Sequence, residues 1–154
     1  MRGIKLVQVG RIQKAFFREA FEHYLKKARF FTPVEHVAVK EVSSKNVDLR
    51  VKKEGERLLE RIASKDLVLA LDEQGKMFSS RGLAGDLDRW ETDPARLPCF
   101  VLGGAYGLSR EVKSRADCLM SLGSITLPHE LSAVVIMEQI YRGFSINKGH
   151  PYHH

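Results

Sequence analysis

A glycine-rich stretch follows a short apolar run two-thirds of the way along the chain. Residues 101–109 read VLGGAYGLS, with Gly103, Gly104 and Gly107 between the apolar run and a serine that suits a helix start. Glycines in such a turn let the backbone approach a ligand, and N–H groups at a helix start favour anionic or polar acceptors. Neither a Walker loop nor the GxGxxG dinucleotide fingerprint is present. A binding loop and a tight turn without a ligand both fit this pattern.

The last predicted helix carries a charged pair on an otherwise apolar surface. Glu138 and Arg142 lie four residues apart, and therefore on one face of the helix. Most other positions between Leu131 and Phe144 are apolar, which predicts a buried helix. An i, i+4 ion pair at a helix edge explains the two residues. A functional site explains them as well, because charged groups in a buried helix need a partner or a purpose.

Metal and disulfide chemistry find little support in the sequence. No closely spaced His, Cys and carboxylate residues suggest a metal site, and the three histidines among the last five residues are typical of a flexible tail. Cys99 and Cys118 are too few for a disulfide framework and too far apart for a CxxC motif. We therefore expect two buried thiols in a reducing cytoplasm.

Strand and helix patterns alternate along the chain and must position these residues. Short apolar or alternating runs predict five strands, at residues 4–9, 34–39, 67–71, 99–102 and 118–122. Helical patterns occupy residues 12–30 and 47–62, then start after Ser79 or Ser80, after Ser109, and at Pro128, from which the last helix reaches about Phe144. Ser43, Ser44 or Asn46 is available to cap the second helix. The alternation predicts an α/β fold with a mostly parallel sheet flanked by helices.

Size and composition predict one soluble domain over residues 1–154. The chain is 44% hydrophobic and 29% charged, which is ordinary for a globular protein. Its longest apolar stretch, residues 131–137, is interrupted by Ser132 and is far shorter than the ~20 residues that span a bilayer. The first ten residues lack the apolar region of a signal peptide. We expect a cytoplasmic protein with no membrane partner.

The positive charge is concentrated in the N-terminal part of the chain. Residues 1–60 contain 14 Lys or Arg and 8 Asp or Glu, whereas residues 61–154 contain 11 of each, so the whole net charge of +6 belongs to the first part. A concentrated positive surface attracts polyanions such as nucleic acids. Glutamates are interleaved with these bases, so a solvated helix surface is the alternative interpretation.

Several ordered motifs resemble one family. The segments are 103–109 (GGAYGLS), 121–129 (SLGSITLPH), 138–142 (EQIYR) and 150–153 (HPYH), with further matches at 6–10, 53–56 and 71–76. Together they resemble the RlmH family of ribosomal large-subunit RNA methyltransferases, a minimal branch of the SPOUT or α/β-knot class. The resemblance covers the whole chain in order, which makes it far more specific than one glycine loop.

The resemblance implies a fold, an activity and an assembly. It implies a parallel-sheet domain whose C-terminal segment threads a loop to form a deep trefoil knot, and a homodimer with the cofactor pocket near the subunit interface. It also implies methyl transfer from S-adenosylmethionine to nitrogen 3 of a pseudouridine in a stem-loop of the large-subunit rRNA, on the assembled ribosome. A SPOUT enzyme acting on tRNA and a non-catalytic ribosome-binding module are the alternatives.

The resemblance also implies residue roles. The cofactor would be held by eight residues, with backbone groups of the last six reading its polar edge: Leu71, Gly103, Leu122, Gly123, Ser124, Ile125, Thr126 and Leu127. His129 and Glu138 could transfer a proton, and Arg142 would stabilise negative charge on the target base. The tail would reach the active site, where Tyr152 stacks on or hydrogen-bonds the base. The general base stays open among these groups.

Two positions depart from the family pattern. Relatives usually carry an arginine four residues after the histidine of the Pro-His motif, where this chain has Ala133, and an alanine where it has Gly143. An arginine at the first position would contact phosphate or the cofactor carboxylate. The basic N-terminal half is expected to compensate for its absence.

Overall fold

Strands and helices alternate through residues 2–154, the part of the chain that the computed structural model describes. The strands are β1 (Ile4–Val9), β2 (Val34–Val39), β3 (Asp66–Met77), β4 (Leu97–Leu102) and β5 (Cys118–Ser121). The helices are α1 (Ala15–Arg29), α2 (Val47–Leu59), α3 (Ser80–Thr92), α4 (Arg110–Arg115) and α5 (His129–Asn147). The predicted α/β alternation is confirmed, and the bounds of most elements differ from the prediction by only a few residues.

The five strands form one sheet in the order β2-β1-β4-β3-β5, and all of their pairings are parallel. The predicted mostly parallel sheet is confirmed. In a parallel sheet the carboxyl ends of neighbouring strands meet at one edge, where ligands of α/β proteins usually bind. The loops that follow β4 and β5 therefore lie beside the outer half of β3.

Strand β3 is longer than predicted, because it resumes after an irregular segment. Leu71 and Lys76 both pair with Met120 of β5, so residues 72–75 bulge out of the ladder between them. Gly75 allows this bulge, since a Cβ there would lie 2.6 Å from the Leu119–Met120 peptide. The apolar run predicted only the part that ends at Leu71.

Helices cover both faces of the sheet. On one face α1, α3 and α5 pack over the larger core, in which Ile136, Ile140 and Phe144 of α5 are buried. On the other face α2 and α4 pack over a smaller core that contains Leu58 and Val112. The last helix is buried, as predicted, and it packs against both α1 and α3. Threading of the C-terminal segment through a knot stays a prediction.

Side chains cap three of the predicted helix starts. Asn46 accepts a hydrogen bond from the Leu49 N–H, Ser79 from the Gly82 N–H, and Ser109 from the Val112 N–H. Pro128 lies at the N-cap of α5 and therefore just outside the helix, which begins at His129. These caps fix where the loops end and the helices begin.

The two thiols differ in their surroundings. Cys99 is buried in β4, and burial raises the pKa of its thiol to about 12. Cys118, at the start of edge strand β5, is partly exposed, so the expectation of two buried thiols is wrong for this residue. Among residues 2–154 no helix is long and apolar enough to cross a membrane.

Candidate active site

A cleft of about 510 Å³ opens where the loops after β4 and β5 meet the bulge in β3. Its lining comes from three segments of the chain and from the first turn of α5: residues 71–73, 102–105 with Gly107, 120–123 with 125–128, and His129 with Ser132. Seven of the eight predicted cofactor residues line this cleft. Ser124 is exposed in the same loop but is not part of the lining.

The glycine loop forms one wall because it folds tightly on itself. The Gly107 N–H donates to the Gly104 carbonyl at 3.1 Å, and Gly107 has a φ of +82°. A Cβ on Gly103 would lie 2.7 Å from the Gly107 carbonyl carbon. Gly103 is therefore required for the turn itself, and the closed turn presents backbone rather than side chains to the cleft.

The loop after β5 forms the opposite wall. Ser121 fixes its first turn, since its hydroxyl donates to the Gly123 carbonyl at 2.8 Å and accepts from the Gly123 N–H at 3.1 Å. Gly123 has a φ of +138°, and a Cβ there would meet no atom within 4 Å. Backbone groups of residues 122–127 are thus available at the cleft for polar contacts.

The floor of the cleft combines apolar and acidic groups. Leu71, Leu102 and Met120 supply apolar surface, and Asp72 and Glu73 of the bulge add two carboxyl groups. Lys113 of α4 lies 2.8 Å from the Asp72 carboxylate. Its hydrogen bond lowers the pKa of Asp72, which holds a negative charge at the cleft.

His129 is the predicted catalytic residue that lies in the cleft. It is the first residue of α5, and its imidazole is about one-third exposed. Its Nε2 atom lies 3.9 Å from a carboxylate oxygen of Glu41, in the segment after β2. The ring therefore faces both the cleft and a carboxylate that can orient it.

The other three predicted catalytic residues form a cluster further along α5, where Tyr152 of the C-terminal tail contacts Glu138 and Arg142 of the helix. Arg142 donates to Glu138 Oε1 from Nε at 2.9 Å and from Nη2 at 2.6 Å, and the Tyr152 hydroxyl donates to the same oxygen at 3.0 Å. The Arg142 guanidinium lies 4.6 Å from the centre of the Tyr152 ring. Gln139 donates to the second oxygen of Glu138 at 2.7 Å. The predicted i, i+4 ion pair between Glu138 and Arg142 is therefore present, and a catalytic role for the two residues stays a prediction.

The contacts of this cluster raise the pKa of Arg142 and of Tyr152. The hydrogen bond to Glu138 raises the pKa of Arg142. Burial and hydrogen bonding to Glu138 raise the pKa of Tyr152, so its phenol stays a donor at neutral pH. Both Glu138 oxygens already accept hydrogen bonds, which leaves this carboxylate engaged in holding Arg142 and Tyr152.

One protomer does not bring all four predicted catalytic residues together. Glu138 follows His129 by nine residues of continuous helix, which corresponds to roughly 13 Å along the axis. The tail folds back on α5, so Tyr152 and His153 contact Arg142 and not the cleft. Ala133, where relatives usually have arginine, is 1% exposed in the larger core and does not line the cleft.

Sequence reasoning missed several lining residues. Asp72 and Glu73 reach the cleft through the bulge of β3, whereas Met120 and Ser121 end β5, directly before the loop at 122–127. The resemblance includes residues 71–76 and 121–129 as matching segments but gives Asp72, Glu73 and Ser121 no role. The sequence DEQG after Leu71 is typical of a turn and could have indicated the irregular segment. Within residues 2–154 no group of three His, Cys, Asp or Glu side chains is placed to hold a metal ion.

Comparison with known proteins identifies the class. A family model described as predicted SPOUT methyltransferase matches residues 1–153. The chain therefore belongs to the SPOUT methyltransferase family. Within that class its relatives are proteins named Ribosomal RNA large subunit methyltransferase H. The one from Solidesulfovibrio magneticus is 43% identical, with all of both chains covered, and the one from Oenococcus oeni is also 43% identical, with 99% of each covered.

Solved structures share the fold at much lower sequence identity. A probable methyltransferase from Bordetella pertussis superposes with a TM-score of 0.61 at 14% identity, covering 93% of this chain and 96% of that one. The tRNA (m1G37) methyltransferase from Aquifex aeolicus gives 0.55 at 15% identity, covering 92% of this chain and 70% of the other. These similarities establish a common architecture.

Proposed function

We propose that this protein uses S-adenosylmethionine to methylate nitrogen 3 of a pseudouridine in a stem-loop of the large-subunit rRNA. It acts as a homodimer of single-domain protomers on assembled ribosomes in the cytoplasm. The observation that carries the proposal is the three-segment cleft, which collects seven of the eight residues assigned to the cofactor. The names and full-length similarity of the relatives support the RNA substrate.

The cleft fits S-adenosylmethionine in size and chemistry. Small-molecule pockets are commonly 300–1,000 Å³, mostly apolar, with a few polar groups that fix orientation. The volume of about 510 Å³ and the apolar surface of Leu71 and Leu102 meet that description. Backbone groups of residues 122–127 suit the adenine edge, and Asp72 or Glu73 suits hydroxyl or amino groups.

His129 is the group we assign to proton transfer. S-adenosylmethionine, when bound, supplies an electrophilic methyl group on a sulfonium sulfur. Nitrogen 3 of the target base must lose a proton as its bond to the methyl carbon forms, and His129 lies in the cleft with an imidazole nitrogen to accept it. Glu138 is less suited, because both of its oxygens already accept hydrogen bonds.

Arg142 and Tyr152 complete the site from the partner subunit of the homodimer. The guanidinium stabilises negative charge that develops on the base carbonyls, and the Tyr152 ring offers a stacking surface. Their distance from His129 within one protomer supports a site shared between two subunits. Exposed aromatic rings at the two ends of α1, Phe16 and Phe30, also support an interface.

Calorimetric titration with S-adenosylhomocysteine tests cofactor binding. We expect the folded wild-type dimer to release heat, and Gly103→Ala to abolish binding because its Cβ displaces the Gly107 backbone. Gly85→Ala is the matched control, since a Cβ there meets no atom within 4 Å. No heat from the wild-type dimer would contradict the proposal and would favour a non-catalytic ribosome-binding module.

A further inference from the structure

Glu54 is a buried carboxylate outside the residues assigned to the cofactor or to catalysis. It lies on α2 and is 2% exposed. Its Oε1 atom accepts hydrogen bonds from the Val42 N–H and from Arg50 Nε, each at 3.1 Å. Its Oε2 atom has no hydrogen-bond partner within residues 2–154. A buried carboxylate oxygen without a donor costs free energy, so this atom needs an explanation.

The free oxygen faces the back of the glycine loop. A Cβ built on Gly104 would lie 3.0 Å from Glu54 Oε2 and 3.2 Å from Val9 Cγ1. That Cβ direction points to the buried side of the loop, whereas the loop's other side lines the cleft. Glu54 therefore lies directly behind the cleft wall.

Neighbouring residues of α2 contact the same loop at two further points. The Arg50 guanidinium lies 5.1 Å from the centre of the Tyr106 ring. Gly55 packs so closely on Ser109 that a Cβ there would collide with the serine hydroxyl. One face of α2 thus supports the glycine loop from Gly104 to Ser109, with the free carboxylate oxygen beside its first turn.

We propose that Glu54 is a positioning residue for the glycine loop. When the cleft is filled, its Oε2 atom accepts a hydrogen bond from a main-chain N–H of residues 104–106 and fixes the wall against the ligand. The inference rests on the proposed function, because it takes S-adenosylmethionine as the occupant. It adds a role for α2, which contributes no residue to the cleft lining.

Substitution by glutamine tests the acceptor role. Glu54→Gln keeps the shape of the side chain, and if its carbonyl serves Val42 and Arg50, its amide presents a donor to the loop. We expect affinity for S-adenosylhomocysteine to fall about tenfold, the scale of one hydrogen bond to a charged group. Glu56→Gln, two residues along on the exposed side of α2, should stay within about twofold.

Hydrogen exchange distinguishes the proposed contact with the glycine loop from a purely structural role of Glu54. In the wild-type complex with S-adenosylhomocysteine, the amides of residues 104–106 should exchange more slowly than in the free protein. In Glu54→Gln at saturating ligand this protection should disappear, while protection of the 122–127 amides remains. A role limited to holding α2 to the 41–42 segment would leave both patterns unchanged.

Gly104→Ala covers the case in which Glu54→Gln fails to fold. Its Cβ would push the loop away from Glu54 without entering the cleft, so affinity should again fall about tenfold. Where both single variants fold, the double variant should weaken binding by less than the sum of the two effects, because both changes break one contact.

The possible outcomes separate this inference from the proposed function. If the wild-type protein binds S-adenosylhomocysteine but every folded Glu54 or Gly104 variant binds it within twofold, the role of Glu54 is overturned and the function stands. If the wild-type dimer binds none, the proposed function fails and this inference fails with it.

Discussion

At the scale of single residues, Glu138 organises the C-terminal cluster. One of its oxygens accepts three hydrogen bonds, two from Arg142 and one from Tyr152, and these hold the guanidinium against the phenol ring. Charge-assisted pairs of this geometry are stronger than neutral hydrogen bonds. We therefore assign Glu138 to positioning, and Arg142 and Tyr152 to contact with the target base.

Glu138→Gln should separate catalysis from cofactor binding. The change weakens the hold on Arg142, so we expect the methylation rate to fall by about tenfold or more. Affinity for S-adenosylhomocysteine should stay within about twofold, because we assign the cluster to the target base, and none of its residues is among those that line the cofactor cleft. Single-turnover kinetics and calorimetry measure the two effects, with Glu60→Gln on the surface as control. An unchanged rate, or a parallel fall in affinity, would contradict this assignment.

Asp72 gives a second prediction at this scale, on pH. Lys113 lowers the folded-state pKa of Asp72 below its ordinary value of 3.8. The Asp72–Lys113 pair therefore contributes its full stabilisation of the folded protein above the ordinary pKa of Asp72. That contribution disappears as the pH falls through the lowered folded-state pKa. Lys113→Met should raise the Asp72 pKa toward 3.8, as followed by NMR titration of the carboxyl carbon. A pKa that does not move would show that Lys113 is not the cause.

At the scale of elements, close contact between α3 and α5 explains one departure from the family pattern. A Cβ on Gly143 would lie 2.5 Å from Leu87 Cδ1 and 3.4 Å from Ala84 Cα. Leu87 is completely buried, so it has little room to move. The glycine thus permits a short distance between the two helices, and the alanine of the relatives requires different packing here.

Gly143→Ala should therefore lower stability despite its better helix propensity. Alanine gains about 1 kcal/mol over glycine in a helix interior, whereas overpacking a core costs about 1–3 kcal/mol. We expect a lower midpoint of thermal unfolding, partly restored by adding Leu87→Val. Gly85→Ala, at an exposed position of α3, should instead raise the midpoint, because no atom lies within 4 Å of its Cβ. A higher midpoint of thermal unfolding for Gly143→Ala would show that α3 and α5 can move apart without loss of stability.

Elements with strong periodicity could be predicted from the sequence, and the bulge in β3 could not. The runs at 4–9 and 34–39 match β1 and β2 in both bounds, because each is a short, mostly apolar segment of β-branched residues bounded by glycine or proline. Residues 72–75 are polar and have no period, so their place beside the cleft depends on long-range pairing with β5. The loop at 122–127 is predicted only through the family resemblance. Its expected contacts are made by backbone groups, which every residue type has, so the residue types alone do not indicate them.

At the scale of the whole molecule, the basic N-terminal residues do not form one surface. Helix α1, with Lys14 just before it, lies on one face of the sheet, whereas α2 lies on the other. The sequence shows that the excess positive charge lies in residues 1–60, but it does not show which face of the sheet each of the two helices covers. The Gln13 N–H donates to Glu130 in the first turn of α5, which places the start of α1 near the cleft.

The two basic sets can be tested separately for RNA binding. Charge reversal at Lys14, Arg18 and Lys26 should weaken ribosome binding and reduce the salt dependence by about one log–log unit for each phosphate group that the variant no longer neutralises. Reversal at Lys52 and Lys53 on α2 should have the smaller effect, and neither set should change S-adenosylmethionine affinity by more than about twofold. If the first set of variants binds ribosomes normally and with an unchanged salt dependence, the basic residues of α1 only form a solvated surface.

Methyl transfer to ribosomal RNA is the central claim, and nucleoside mass spectrometry tests it most directly. Ribosomes from a strain lacking this gene are incubated with the purified protein and methyl-labelled S-adenosylmethionine, and both rRNA and tRNA are digested. The account predicts label on one pseudouridine of a large-subunit stem-loop, and no label with Arg142→Ala protein. Label in tRNA, on a different large-subunit position, or on no nucleoside would contradict it.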